Sequence, residues 1–142
     1  VRRLSTVACY GVACESDLEW WTSELSRPRP CHDDTDALCV EGAHPFVIDD
    51  TSPIITIEEG DLEPDVIAET WIEHDIDGAI LRARIVMAIG WWNHSHLRRE
   101  LGHALGLEND PPSFDVRSIM SDTVLPGAQL TDHDERLLRP WL

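Results

Sequence analysis

The chain predicts a single α/β domain, on three observations. Its 142 residues suffice for one core but not for two domains of usual size. Short runs rich in β-branched residues lie next to prolines, and longer stretches repeat apolar residues at helical spacing. Apolar residues make up 42% and charged residues 27%, with no run long enough to span a membrane.

Along the chain, residues 17–26 (DLEWWTSELS) place Leu18, Trp21 and Leu25 on one helical face. Ser16 is available as a cap, and Pro28 and Pro30 stop the helix. Residues 31–42 read as an acidic loop closed by a disulfide. Phe46-Val47-Ile48 and Ile54-Ile55-Thr56-Ile57, after Pro45 and Pro53, read as strands, and residues 58–65 as a polar loop. Residues 66–72 fit a strand or a short helix, and Asp75-Ile76-Asp77-Gly78 signals a turn.

Residues 79–88 (AILRARIVMA) alternate Arg82, Arg84 and Val86 with Ala83, Ile85 and Met87, which fits a half-buried strand with an arginine-bearing edge. Residues 96–107 form the best helix, with a stripe of Leu97, Leu101, Ala104 and Leu105 and with Asn93 or Ser95 as cap. Pro111-Pro112 breaks the segment that follows. Residues 130–138 read as a final helix capped by Thr131, with Asp134 in its first turn.

The net charge is −16, and all eleven basic residues are arginine. Such a surface repels phosphate backbones, so no nucleic-acid partner is expected. The acidic runs 33–36, 49–50 and 58–63 read as solvated loops; a calcium site would be the sharper alternative, but none has EF-hand spacing. Cys9, Cys14, Cys31 and Cys39 lie in the first 39 residues without a CxxC pair. They suggest two structural disulfides, of which Cys9–Cys14 with Cys31–Cys39 is the most local of three pairings. An oxidising location follows: secreted, periplasmic or at the cell surface.

Residues 99–120, RELGHALGLENDPPSFDVRSIM, carry the chemistry. The segment resembles the metzincin signature HExxHxxGxxH/D followed by a Met-turn. Residues 68–87 (AETWIEHDIDGAILRARIVM) and 125–142 (LPGAQLTDHDERLLRPWL) also look like parts of small matrixin-like metzincins, so the resemblance covers roughly residues 45–142. It implies one metzincin-like domain over residues 1–142. A cysteine-bearing segment (1–44) would lead into a sheet and active-site helix (45–108), then a Met-turn and C-terminal helix (109–142). The implied sheet is twisted and mixed, with four or five strands, mostly parallel and with one antiparallel edge. The implied cleft runs between the Arg82/Arg84 strand, taken as the edge, and the active-site helix.

The resemblance makes Glu100 the general base, His103 the second zinc ligand, Gly106 the turn glycine and Met120 the floor. Arg99 stands at the first ligand position and Asn109 at the third. Arginine is permanently protonated and has no lone pair to donate, and a neutral amide is a poor zinc ligand. Three alternatives follow. The domain is a pseudopeptidase without a cofactor that binds protein or peptide, with Arg99 bridging Glu100 and Asp110 in place of a metal. Or a zinc site is rebuilt from His96, His103 and Asp110, because His96, Glu100 and His103 fall within about 60° of helical arc, and the domain is an active zinc metalloendopeptidase with Glu100 as base. Or the domain is a purely structural secreted module. A monomer is expected in each case.

Overall fold

The computed structural model describes residues 7–26, 55–77, 80–109, 117–121, 127–131 and 133–134. The elements run β1 (Val7–Tyr10), α1 (Glu15–Ser26), β2 (Ile55–Gly60), β3 (Ala68–His74), β4 (Ile80–Ala88) and α2 (His94–Ala104). They form an α/β fold with a four-stranded mixed sheet in the order β1-β2-β4-β3. β1, β2 and β4 are parallel, and β3 pairs antiparallel with β4. The proposed strand at residues 46–48, the acidic loop at 31–42, the Cys31–Cys39 pair and the final helix beyond residue 134 lie outside the described residues.

β4 carries the centre of the core. Ala83, Ile85 and Met87 are buried on one face, whereas Arg82 and Arg84 are exposed on the other. Toward its end the strand is buried on both faces, because Val86 packs against Gly60, where an added Cβ would come within 2.8 Å of it. The strand is interior, flanked by β2 and β3, so its arginines do not mark an edge. That corrects the assignment from alternation: half-burial gives the same pattern in a central strand with one solvated face. The edge beside it is β3, from a segment that fitted strand and helix alike. β2 also continues through Glu58, Glu59 and Gly60, which read as loop, because residues 58–60 pair with Val86, Met87 and Ala88.

β1 is a second departure from expectation. The cysteine-bearing start supplies a parallel strand in register with β2, Val7 opposite Ile55. A turn through Gly11 (φ +71°) leads to α1, and the Cys9–Cys14 disulfide ties strand to helix. α1 begins one residue before Ser16. The Cys14 carbonyl accepts from the Asp17 and Leu18 amides, each at 3.0 Å, so Cys14 rather than Ser16 sits at the cap position.

α1 and α2 are joined by a buried charge. Asp17 is fully buried and meets His94 Nδ1 at 2.7 Å and Arg98 Nε at 3.0 Å. The Arg98 guanidinium also lies over the Trp20 ring, at 5.3 Å from its centroid. Removing the carboxylate strands a cation that the fold has partly desolvated. Asp17→Ala is therefore expected to cost about 2–3 kcal/mol, below the value for a fully enclosed pair because His94 and Arg98 keep some solvent contact. Urea denaturation reads this directly, and a loss under about 0.5 kcal/mol would assign the contact no structural weight.

Candidate functional site

α2 is set by its two ends. Asn93 is the N-cap, its Oδ1 accepting from the His96 amide at 2.9 Å, so the helix starts at His94, earlier than the apolar stripe suggests. At the other end Gly106 adopts φ +108°, with Leu107 N bonded to Gly102 O and Gly106 N to His103 O, both 2.9 Å. That pair of bonds is a Schellman motif, which needs the left-handed residue at Gly106. The chain then folds back along the helix, and residues 107–109 return to the face that bears Arg99 and His103.

The returning segment makes two contacts with that face. His103 Nδ1 donates to the Leu107 carbonyl at 2.8 Å, which fixes the ring and leaves Nε2 with its lone pair when the imidazole is neutral. The Arg99 guanidinium donates to Asn109 Oδ1. A second Arg99 nitrogen lies 3.6 Å from Glu100 Oε1. The other Glu100 oxygen accepts a 2.5 Å hydrogen bond from Thr70 on β3, so this buried carboxylate links α2 to the edge strand. Thr70, Arg99, Glu100, His103 and Asn109 line one cleft of about 460 Å³ between β3 and the end of α2. The cleft wall is therefore β3 rather than the Arg82/Arg84 strand.

His96 does not line that cleft. It shares an angular sector with His103, but seven residues at about 1.5 Å rise separate them by roughly 10 Å along the axis. Among the described residues, no three His, Cys, Asp or Glu side chains converge as a metal site. Asp110 lies outside the described residues, so of the expected Glu100–Arg99–Asp110 bridge only the Glu100 side is described.

His96 is half-buried, and its Nδ1 has no hydrogen-bond partner. Desolvation, then the Arg99 cation, lower its pKa from 6.5, with Glu100 opposing. The unfolded chain consequently takes up this proton first as pH falls. Stability present above pH 6.5 is lost as pH drops through the folded-state value. Arg99→Gln should raise the His96 midpoint in an NMR titration; an unchanged midpoint would leave burial as the sole cause.

Met120 is fully buried beneath α2, and a Cβ built on Gly102 would lie 2.4 Å from its sulfur and 3.2 Å from Trp21 Cζ2. The turn that presents Met120 is clamped by buried polar groups. Ser118 Oγ accepts from the Met120 amide at 3.0 Å and donates to Asp134 Oδ2 at 2.6 Å. The same oxygen accepts from the Thr131 amide and hydroxyl. The Asp134 amide in turn donates to Thr131 Oγ1 at 3.3 Å, a reciprocal cap at residues 131–134.

Motif spacing located Arg99, Glu100, His103, Asn109 and Met120. Thr70 and the Leu107 carbonyl carried no such signal, since a threonine in a strand and a backbone oxygen belong to no pattern. No protein family profile matches the chain, and no curated protein or solved structure is significantly similar to it. No helix among the described residues is long and apolar enough to cross a membrane.

Proposed function

We propose that this chain is a metzincin-type peptidase domain that has lost its zinc chemistry and uses the β3–α2 cleft to bind an extended peptide without cutting it. The observation that carries the proposal is the guanidinium of Arg99 at the first ligand position, joined to Asn109 and Glu100. Arginine has no lone pair, the Asn109 oxygen is engaged by it, and the Glu100 oxygens face Thr70 and Arg99. These residues do not fit the family's three-ligand zinc site. A base must be free to take a proton from water, and this carboxylate is held on both sides.

Peptide binding follows from the edge. The outer side of β3 has main-chain donors and acceptors free of any partner strand in the described sheet. An incoming strand can satisfy them while its side chains reach the cleft. The Cys9–Cys14 disulfide supports a secreted, periplasmic or cell-surface location.

The second reading is an active zinc metalloendopeptidase with Glu100 as base and a rebuilt ligand set that includes His103 and Asp110, without His96, which does not line the cleft. The Leu107 bond to His103 favours it, because metal-ligating imidazoles commonly donate their other ring nitrogen to a carbonyl. Elemental analysis of protein purified without chelator, with a peptide-library cleavage assay on the parent and Glu100→Ala, separates the two. The pseudopeptidase reading expects near-zero zinc and no cleavage that depends on Glu100. One equivalent of zinc with Glu100-dependent cleavage would overturn it.

A further inference from the structure

A second concavity lies away from the β3–α2 cleft, where the ends of β2 and β4 meet the segment leading into β3. It has a volume of about 380 Å³ and is walled by Leu62, Ile89 and Trp91, with Asp61, Glu63 and Asp65 around it. Trp91 and Trp92 are adjacent but differ. Trp92 packs against the core and donates its indole N–H to Glu59 at 3.2 Å. Trp91 is 79% exposed and Ile89 58% exposed, on a turn that Gly90 makes at φ +78°. Ile89 and Trp91 lie beside the pit with Leu62, so the exposed apolar surface here is grouped rather than scattered.

The charge around the pit selects the partner. Asp61, Glu63 and Asp65 are exposed, and no ion pair joins them to a described arginine. Nor do they converge on a point that could hold a metal ion. Their charge is spread along a rim, a pattern suited to a long cationic side chain rather than to an ion. An indole face beside that rim takes the stem and head of arginine or lysine. An anionic membrane surface is repelled by a chain of net charge −16, and so is a second copy of the same acidic chain.

We propose that this pit is a docking site for a basic, apolar-flanked peptide segment of a partner protein. An arginine or lysine of the partner lies over Trp91 with its cation toward the Asp61, Glu63 and Asp65 rim, and a neighbouring apolar residue enters the pit. The site is separate from the β3–α2 cleft and does not depend on the fate of the zinc chemistry.

Fluorescence anisotropy tests this on the full chain, with a fluorescein-labelled peptide of alternating leucine and arginine and a matched peptide bearing citrulline for arginine. The arginine peptide should bind, and binding should weaken as salt is raised. Citrulline, Trp91→Ala and the combined change Asp61→Asn/Glu63→Gln/Asp65→Asn should each weaken it by about fivefold or more. All these positions are exposed, and circular dichroism checks that the variants fold. No binding, or equal binding of the citrulline peptide, overturns the proposal and leaves the cleft reading, which turns on Arg99 and Glu100, untouched. Binding that survives Trp91→Ala but is lost in the cleft variant Glu108→Arg also overturns it and moves the peptide to the β3–α2 cleft.

Discussion

Arg99→His combined with Asn109→His is expected to raise zinc affinity over that of the parent chain by at least about a thousandfold. The geometry carries the expectation. Positions 99 and 103 are four residues apart on α2 and face the same side. Position 109 is brought back to position 99 by the turn at Gly106, as the Arg99–Asn109 hydrogen bond records. Three imidazoles would then meet with a fourth position open, and Glu100 would be released from the guanidinium while still held by Thr70.

Zinc at one hundred times its dissociation constant should stabilise the double variant by about 2.7 kcal/mol, visible as a zinc-dependent rise in Tm. The single change Arg99→His leaves a neutral amide at the third position and should bind far more weakly. If the double variant takes up no more zinc than the parent, the loss lies in the scaffold and the metzincin reading of residues 99–120 fails. The test does not require that peptidase activity return.

Trp21→Ala is expected to have the largest effect on stability, a loss of about 3–5 kcal/mol. Trp21 is fully buried and donates its indole N–H to the Arg98 carbonyl at 2.9 Å. Its ring edge meets α2 at Gly102, where the Met120 sulfur also packs. Truncation leaves a cavity between two helices. For a domain of this size the melting temperature should fall by roughly 10 °C. Trp21→Phe keeps most of the volume and loses the hydrogen bond, so it should cost distinctly less. Equal losses in the two variants would show that the bond to Arg98, rather than filled space, holds the helices together.

The sequence made some features plain because they are local. The stripe Leu97, Leu101, Ala104 and Leu105 is a helical period, and all four residues are buried in α2 and its C-terminal turn. The Cys9–Cys14 pair is close along the chain, and its disulfide is present. Trp21, on the predicted apolar face of the first helix, is buried in the core. Other features were not legible, and the reason is separation. Val7–Tyr10 is too short to announce a strand and becomes one only by pairing with β2. The alternation in β4 records which face is wet but not which strands lie on either side. The arc containing His96 and His103 records angle and omits rise.

The wheel of α2 and the residue types at positions 99 and 109 were decided by the chain alone, because periodicity and the absence of a lone pair need no fold to express them. Which atoms meet Glu100, which strand forms the cleft wall and what neutralises Asp17 were decided by tertiary packing. Thr70 reaches Glu100 across 30 residues of sequence, and Asp17 reaches His94 and Arg98 across 77 and 81. Buried charges take whatever partner the packed core leaves within hydrogen-bond reach, and at such separations that partner follows from topology.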